Sequence, residues 1–120
     1  MLPNFESHTK DLNSEDKKAV PFLQRILETK TIENPIFSHL LIEETNMLLK
    51  QVKLKPINDV KLRKLVNYMR THDILPICST SNGYFVSYDE KVLQLQIVSL
   101  SKRGNAILSC AYGLERFIKI

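Results

Sequence analysis

The 120-residue sequence predicts a mainly helical fold with one small β-hairpin, an α+β class, followed by an additional C-terminal helix. Apolar residues recur at helical spacing ahead of residue 72, an Asn-Gly turn separates two short runs of strand formers, and the segment 89–120 contains no proline. A chain of this length with 43% apolar residues can form one compact domain. We expect a flexible N-terminal arm at 1–12, a domain at 13–88, and a helix or helical hairpin at 89–120.

The N-terminal half of this domain predicts two helices. Asn13 or Ser14 can cap a first helix that continues to about residue 30 with one apolar face. Pro21 either kinks that helix or stands in the first turn of a helix that begins there after a short turn. A second helix is expected at about 37–50.

A basic amphipathic helix is predicted to begin after Asn58. The Asn58 side chain can accept a hydrogen bond from an unpaired amide, and Asp59 suits the positive end of the helix dipole. Four apolar residues at helical spacing form one face: Leu62, Leu65, Val66 and Met69. The opposite face carries side chains that hydrogen-bond to base edges and phosphates: Arg63, Lys64, Asn67, Tyr68 and Thr71.

A β-hairpin is predicted to follow this helix directly. Pro76 cannot continue a helix, and Ser81-Asn82-Gly83 supplies a turn with positive φ between two runs of strand formers. Tyr84 and Phe85 alternate across the second strand, so we expect one of them in the core and the other exposed. A basic helix leading into a hairpin is the order of elements at the DNA-binding end of a winged helix-turn-helix, the architecture that this sequence predicts.

A longer motif joins the basic helix to the hairpin. It consists of Leu62-Arg63-Lys64-Leu65-Val66-Asn67, Met69-Arg70 and Leu75-Pro76-Ile77-Cys78-Ser79-Thr80-Ser81-Asn82-Gly83-Tyr84-Phe85. This motif resembles the R-x-L-[IV]-x-x-[LM]-R helix and the P-I-C-S-x-S-x-G-Y-[FY] hairpin of small winged-helix proteins encoded by phages and integrated mobile elements. The resemblance covers about half the chain. It implies a DNA-binding domain from a phage replication, packaging or regulatory setting.

The positive charge of the chain is concentrated in one segment. Residues 1–49 hold 5 Lys and Arg against 8 Asp and Glu, residues 50–70 hold 7 against 1, and residues 71–120 hold 5 against 4. Such a basic segment favours nucleic-acid binding through counterion release, although a solvated helix face is the alternative interpretation. The resulting candidates for contacts with double-stranded DNA are Lys53, Lys55, Lys61, Arg63, Lys64, Asn67, Tyr68, Arg70, Thr71 and Asn82.

These candidates differ in the contact that each side chain suits. Asn67 can pair with adenine through two hydrogen bonds, while Arg63 and Lys64 suit guanine or phosphate. Tyr68 either stacks on a base or packs against a neighbouring element. Asn82 is expected to serve the turn first and to approach the minor groove second.

The C-terminal segment alternates four-residue and three-residue steps between mostly apolar positions, which is the spacing of a coiled-coil seam. We expect a homodimer in which the seam residues Leu93, Ile97, Leu100, Ile107, Ala111 and Leu114 form the dimerisation surface. The alternatives are a helix that packs on the rest of its own chain, or two helices separated at Gly104.

Other kinds of site find little support in the sequence. His8, His39 and His72 lack ligand spacing, so we expect no metal site and no cofactor. Cys78 and Cys110 are expected to be small buried hydrophobic residues in a reducing compartment. No apolar run approaches the roughly 20 residues that a membrane span requires.

The sequence therefore predicts a non-catalytic, cytoplasmic DNA-binding protein without a membrane partner. It would act in transcription regulation or in accessory work for DNA replication. The principal alternative is a protein-interaction module, an adaptor or inhibitor on a winged-helix scaffold whose partner is a host or phage protein. The basic helix favours DNA, whereas the acidic N-terminal half favours the alternative.

Overall fold

The computed structural model describes residues 12–118, and the chain divides into two units, Met1–Ser87 and Tyr88–Ile120. The described part of the first unit contains four helices and one antiparallel hairpin, and the second contains one long helix. The elements in chain order are α1 (Ser14–Lys17), α2 (Val20–Leu27), α3 (Ser38–Gln51), α4 (Asp59–Thr71), β1 (Ile77–Thr80), β2 (Gly83–Val86) and α5 (Glu90–Glu115). The predicted α+β class is confirmed. Residues 1–11 of the predicted arm lie outside the described residues.

The N-terminal region forms two separate helices, α1 and α2. One of the two predictions was a single kinked helix, and the other was a helix that begins at Pro21 after a short turn. Asn13 caps α1 in a capping box, in which the Asp16 amide donates to Asn13 Oδ1 at 2.8 Å. Pro21 stands at the second position of α2. A proline is tolerated there because amides in the first turn have no partner within the helix. The interpretation of Pro21 as a first-turn residue is therefore confirmed, and the kinked single helix is wrong.

A short extended segment before α3 adds a third backbone partner to the hairpin. The Ile36 amide donates to the Tyr84 carbonyl at 2.9 Å, and the Tyr84 amide donates to the Ile36 carbonyl at 2.8 Å. This pairing was not predicted, because a single paired residue leaves no periodic pattern in the sequence. The result is that β2 pairs on both of its edges, with β1 and with Ile36.

Helices α3 and α4 are each followed, two residues after the last helical residue, by a residue in the left-handed conformation. Lys53 follows α3 with φ 60°, and Asp73 follows α4 with φ 57°. In each case the next amide closes the helix end, from Leu54 to the Leu49 carbonyl and from Ile74 to the Met69 carbonyl, both at 2.9 Å. These are Schellman endings, in which glycine is the usual residue at the left-handed position.

One apolar core holds the first unit together. Its buried members come from α2, α3, α4, β1 and the segments that connect the elements, and they include Leu23, Leu27, Leu41, Leu49, Leu62, Leu65, Val66, Met69 and Ile77. Phe85 is buried, so the predicted alternation in β2 places Phe85 in the core. Tyr84 is half-buried and packs against that core, so the predicted exposure of the other residue is wrong. Cys78 is buried as predicted. Cys110 is exposed, so its predicted burial is wrong.

The second unit contains the continuous helix α5. Asp89 caps it, with the Lys91 amide donating to Asp89 Oδ1 at 2.8 Å. Gly104 lies in its interior without ending it, so the prediction of two helices separated at Gly104 is wrong. None of the residues in Glu90–Glu115 is buried. Over the described residues, no helix has both the length and the apolar character needed to cross a membrane.

Candidate nucleic-acid interface

The exposed face of α4 is the centre of the candidate interface. Four buried residues anchor the other side of this helix in the core: Leu62, Leu65, Val66 and Met69. Arg63, Asn67 and Thr71 are exposed at successive steps of four residues, and Lys64 beside them is half-buried. The Thr71 hydroxyl donates to the Asn67 carbonyl at 2.9 Å, so the helix backbone already engages it. Residues 60–72 contain no acidic residue, and the face is cationic and rich in donors.

One flank of α4 holds α1 in place. Lys61 Nζ lies 2.8 Å from Asp16 Oδ1, with both side chains largely shielded from solvent. The Tyr68 ring stacks on His72 at a centroid distance of 4.1 Å, and Lys17 Nζ lies 5.0 Å from the Tyr68 ring centroid. The prediction that Tyr68 packs against a neighbouring element is therefore confirmed. DNA contacts by Lys61 and Tyr68 stay predictions.

The opposite flank of α4 fixes the hairpin. Arg70 Nε donates to the Ile77 carbonyl at 2.8 Å, and Arg70 Nη2 lies 3.5 Å from Ser79 Oγ. Arg70 was predicted to contact DNA, and the structure shows that it ties β1 to α4. A hydrogen bond from a charged donor is stronger than a neutral one, so Arg70 holds the hairpin at a set place beside the exposed face.

The connection between α3 and α4 is held by Asn46, which is not among the predicted site residues. Asn46 Nδ2 donates to the Ile57 carbonyl at 3.0 Å, and the Ile57 amide donates to Asn46 Oδ1 at 2.8 Å. An asparagine inside a helix is unfavourable without such a partner, which is the signal that could have identified it. Because Asn46 fixes this connection, the exposed Lys53 and Lys55 emerge from an ordered backbone.

A shallow depression lies against this connection. It has a volume of about 420 Å³ and is lined by Asn46, Lys50, Lys53, Leu54, Lys55 and Pro56. Three lysines at one depression attract an anion such as a backbone phosphate. The structure thus brings Lys53 and Lys55 together and adds Lys50 to them.

The tip of the hairpin depends on Gly83. Its φ of 120° confirms the predicted positive-φ turn, and the Asn82 amide donates to Thr80 Oγ1 at 3.1 Å. The Asn82 side chain is exposed at this tip. Asn82 therefore serves the turn through its backbone, while its side chain faces solvent.

Cys78 lies in β1, and its thiol is buried. Burial raises the pKa of the Cys78 thiol, and the charge of Arg70 only partly opposes this, so the reactive thiolate is disfavoured. Across residues 12–118 no group of three or more His, Cys, Asp and Glu side chains is placed to hold a metal ion.

The salt bridge between Asp16 and Lys61 predicts a pH-dependent stability. Burial raises the pKa of Asp16, but the hydrogen bond from Lys61, the Asn13 amide and the charges of Lys61 and Lys64 together lower it below 3.8. Because the folded state binds the proton less tightly than the unfolded state, this stabilisation is complete above about pH 4. It is lost as the pH falls through the folded-state pKa.

We expect Asp16→Asn to lower the free energy of unfolding by up to about 1 kcal/mol at pH 7 and by much less near pH 3. Urea unfolding of both proteins at the two pH values measures this difference. The control is Glu15→Gln, which removes an exposed ion pair with Lys18. A constant difference between wild type and Asp16→Asn at both pH values would contradict the assignment.

No protein-family model, curated protein or solved structure matches the chain. The resemblance to phage and mobile-element proteins therefore stays a prediction.

Proposed function

We propose that the first unit is a winged helix-turn-helix that binds double-stranded DNA, with α4 as the recognition helix and the β1–β2 hairpin as the wing. The order of α3, α4 and the hairpin supports this architecture. The connection of residues 52–58 is longer than the three- or four-residue turn of the simplest helix-turn-helix. Asn46 compensates for that length by fixing Ile57.

One observation carries the proposal, namely the cationic exposed face of α4 between two structurally engaged flanks. Arg63 and Asn67 are exposed where major-groove contacts require side chains that reach outward. Lys61 and Arg70 lie on the flanks, where they hold α1 and the hairpin beside this face. The proposed division is that Arg63, Lys64 and Asn67 meet DNA while the flanking residues position the helix.

The test is fluorescence-anisotropy binding to a generic duplex across a salt series. We expect the affinity of the wild type to fall linearly with salt on logarithmic axes. Arg63→Ala/Lys64→Ala should weaken binding by at least about 30-fold and reduce the salt slope by between one and two. Lys91→Ala/Lys102→Ala in α5 removes the same charge elsewhere, and we expect less than about a threefold change.

Two outcomes of this test contradict the proposal. One is that the wild type fails to bind at low salt. The other is that the two double variants lose affinity equally, because this would show a response to net charge rather than to the α4 face.

A second pair of variants separates DNA binding from stability. Lys53 and Asp73 occupy the same left-handed position after α3 and α4, so glycine relieves backbone strain at both. We expect Lys53→Gly and Asp73→Gly each to raise the free energy of unfolding by roughly 0.5–1 kcal/mol. Only Lys53→Gly should weaken DNA binding, by about threefold to tenfold. Equal changes in the DNA affinity of Lys53→Gly and Asp73→Gly would show that the Lys53 side chain makes no contact of its own with DNA.

An exposed face of α3 favours a second candidate function, the binding of a host or phage protein. Leu40, Glu44 and Met47 share this face at helical spacing, and the side chains of Leu40 and Met47 are 42% and 62% exposed. Apolar side chains beside a carboxylate suit a protein partner better than DNA. Salt-insensitive protein binding that Leu40→Asp/Met47→Asp abolishes and Arg63→Ala/Lys64→Ala preserves would support this function.

A further inference from the structure

Helix α5 presents an apolar seam to solvent. Its 26 residues span about 39 Å, and none of them is buried. The seam side chains of Ile97, Ile107 and Leu114 are 60%, 69% and 68% exposed. Helices in water gain most of their stability by burying an apolar face, so this seam is expected to have an occupant.

Gly104 indicates how closely that occupant approaches. Glycine is among the least favourable residues in a helix interior. Its φ lies outside the positive range, and a Cβ built on Gly104 meets no heavy atom within 4 Å. Neither the backbone nor a described neighbour in the chain therefore calls for glycine. A side chain from another molecule that fills this space would account for it.

The small and large side chains of the seam are complementary to those of a second copy that runs antiparallel to it. A two-fold axis midway between residues 105 and 106 pairs Gly104 with Ile107, Leu100 with Ala111, and Ile97 with Leu114. Each small residue then faces a large one. A parallel in-register pair would instead place Gly104 on Gly104 and Ala111 on Ala111, which leaves gaps in the seam.

The apolar area is sufficient for a stable pair. Six large apolar side chains lie on or beside the seam in each copy: Leu93, Ile97, Leu100, Ile107, Leu108 and Leu114. Leu93 is half-buried and Leu100 is 37% exposed, so at no more than roughly 100 Å² for each side chain two copies remove on the order of 1,000 Å² from solvent. This area is close to the roughly 1,000 Å² that a specific protein interface needs.

We propose that two copies of the chain associate through α5 as an antiparallel helix pair centred between residues 105 and 106. In this pair Ile107 of each copy packs over Gly104 of the other, and Leu100 packs over Ala111. The partner is a second copy because the size pattern is complementary to itself. The inference does not depend on DNA binding, so either can fail without the other.

A double-variant cycle on the 120-residue chain tests the pairing by sedimentation equilibrium. Leu100→Ala should weaken the dimer at least tenfold, because Ala then faces Ala twice in the seam. Ala111→Leu should weaken it severalfold through overfilling. Leu100→Ala/Ala111→Leu restores a large residue opposite a small one, and we expect a dissociation constant within threefold of wild type. Alanine and leucine are both strong helix formers, so α5 itself persists in all variants.

Three results would overturn the proposal. A wild type that stays monomeric at 100 µM would exclude the dimer. A double variant whose dimer dissociates as readily as that of Leu100→Ala would exclude the antiparallel arrangement. An Ala111→Leu variant with a tighter dimer would also exclude it, because leucine there fills the gap of a parallel pair. Spin labels at residue 91 in a Lys91→Cys/Cys110→Ser protein give an independent measure. Their separation should be on the order of 45 Å in the antiparallel pair, and a separation below about 20 Å indicates a parallel one.

Discussion

Replacing Gly83 with alanine is expected to lower the free energy of unfolding by about 3–4 kcal/mol. The φ of 120° is strained for any residue with a Cβ, which costs about 1–2 kcal/mol. A Cβ at this position would also overlap the Ile36 carbonyl oxygen and lie 2.5 Å from the Ile36 carbonyl carbon and 2.9 Å from the Phe37 nitrogen. The segment before α3 would have to move away from β2. That movement disrupts the two hydrogen bonds between Ile36 and Tyr84, each worth about 1 kcal/mol.

Urea unfolding followed by circular dichroism measures this loss, and Gly113→Ala is the matched control. A Cβ at Gly113 would make only an ordinary contact with the Arg116 guanidinium at 3.7 Å, its backbone is helical, and it lies off the seam, so alanine should stabilise α5 by up to about 1 kcal/mol. Equal unfolding midpoints for Gly83→Ala and wild type would show that the segment at Ile36 yields without cost. The close approach to Gly83 would then not be a constraint on the fold.

Asn46→Ala is expected to cost about 2–3 kcal/mol and to weaken DNA binding severalfold. The substitution leaves the amide and the carbonyl of the buried Ile57 without their side-chain partners. A buried backbone group that loses its hydrogen bond costs about 1–3 kcal/mol. DNA binding should weaken because the connection that carries Lys53 and Lys55 loses its attachment to α3.

Asn67→Ala provides the comparison, because it is the same substitution at an exposed position of α4. We expect Asn67→Ala to leave stability unchanged or raise it by about 0.5 kcal/mol, since alanine is the better helix former. It should still weaken DNA binding, by about 1–3 kcal/mol at a site where it reads adenine. The opposite pattern, a stable Asn46→Ala and an unstable Asn67→Ala, would reverse the roles assigned to the two residues.

The sequence predicted the elements whose signals are local. Asn58 with the apolar spacing of residues 62–69 predicted α4 and its N-cap, and both are present. Ser81-Asn82-Gly83 predicted the hairpin turn in the same way. The exposed positions of Arg63 and Asn67 followed from the same helical period, because the residues that face the core leave the remainder facing solvent.

Contacts between residues distant in the chain or in different elements were decided by tertiary structure alone. The pairing of Ile36 with Tyr84, the attachment of Asn46 to Ile57 and the salt bridge of Lys61 with Asp16 have no periodic signature. Each of them depends on chain packing that brings polar groups from separate parts of the chain within about 3 Å, the distance at which a hydrogen bond forms. The sequence by itself thus determined α4, the hairpin and the apolar seam of α5. Only the folded chain decided which cationic side chains of the first unit hold its parts together and which face solvent.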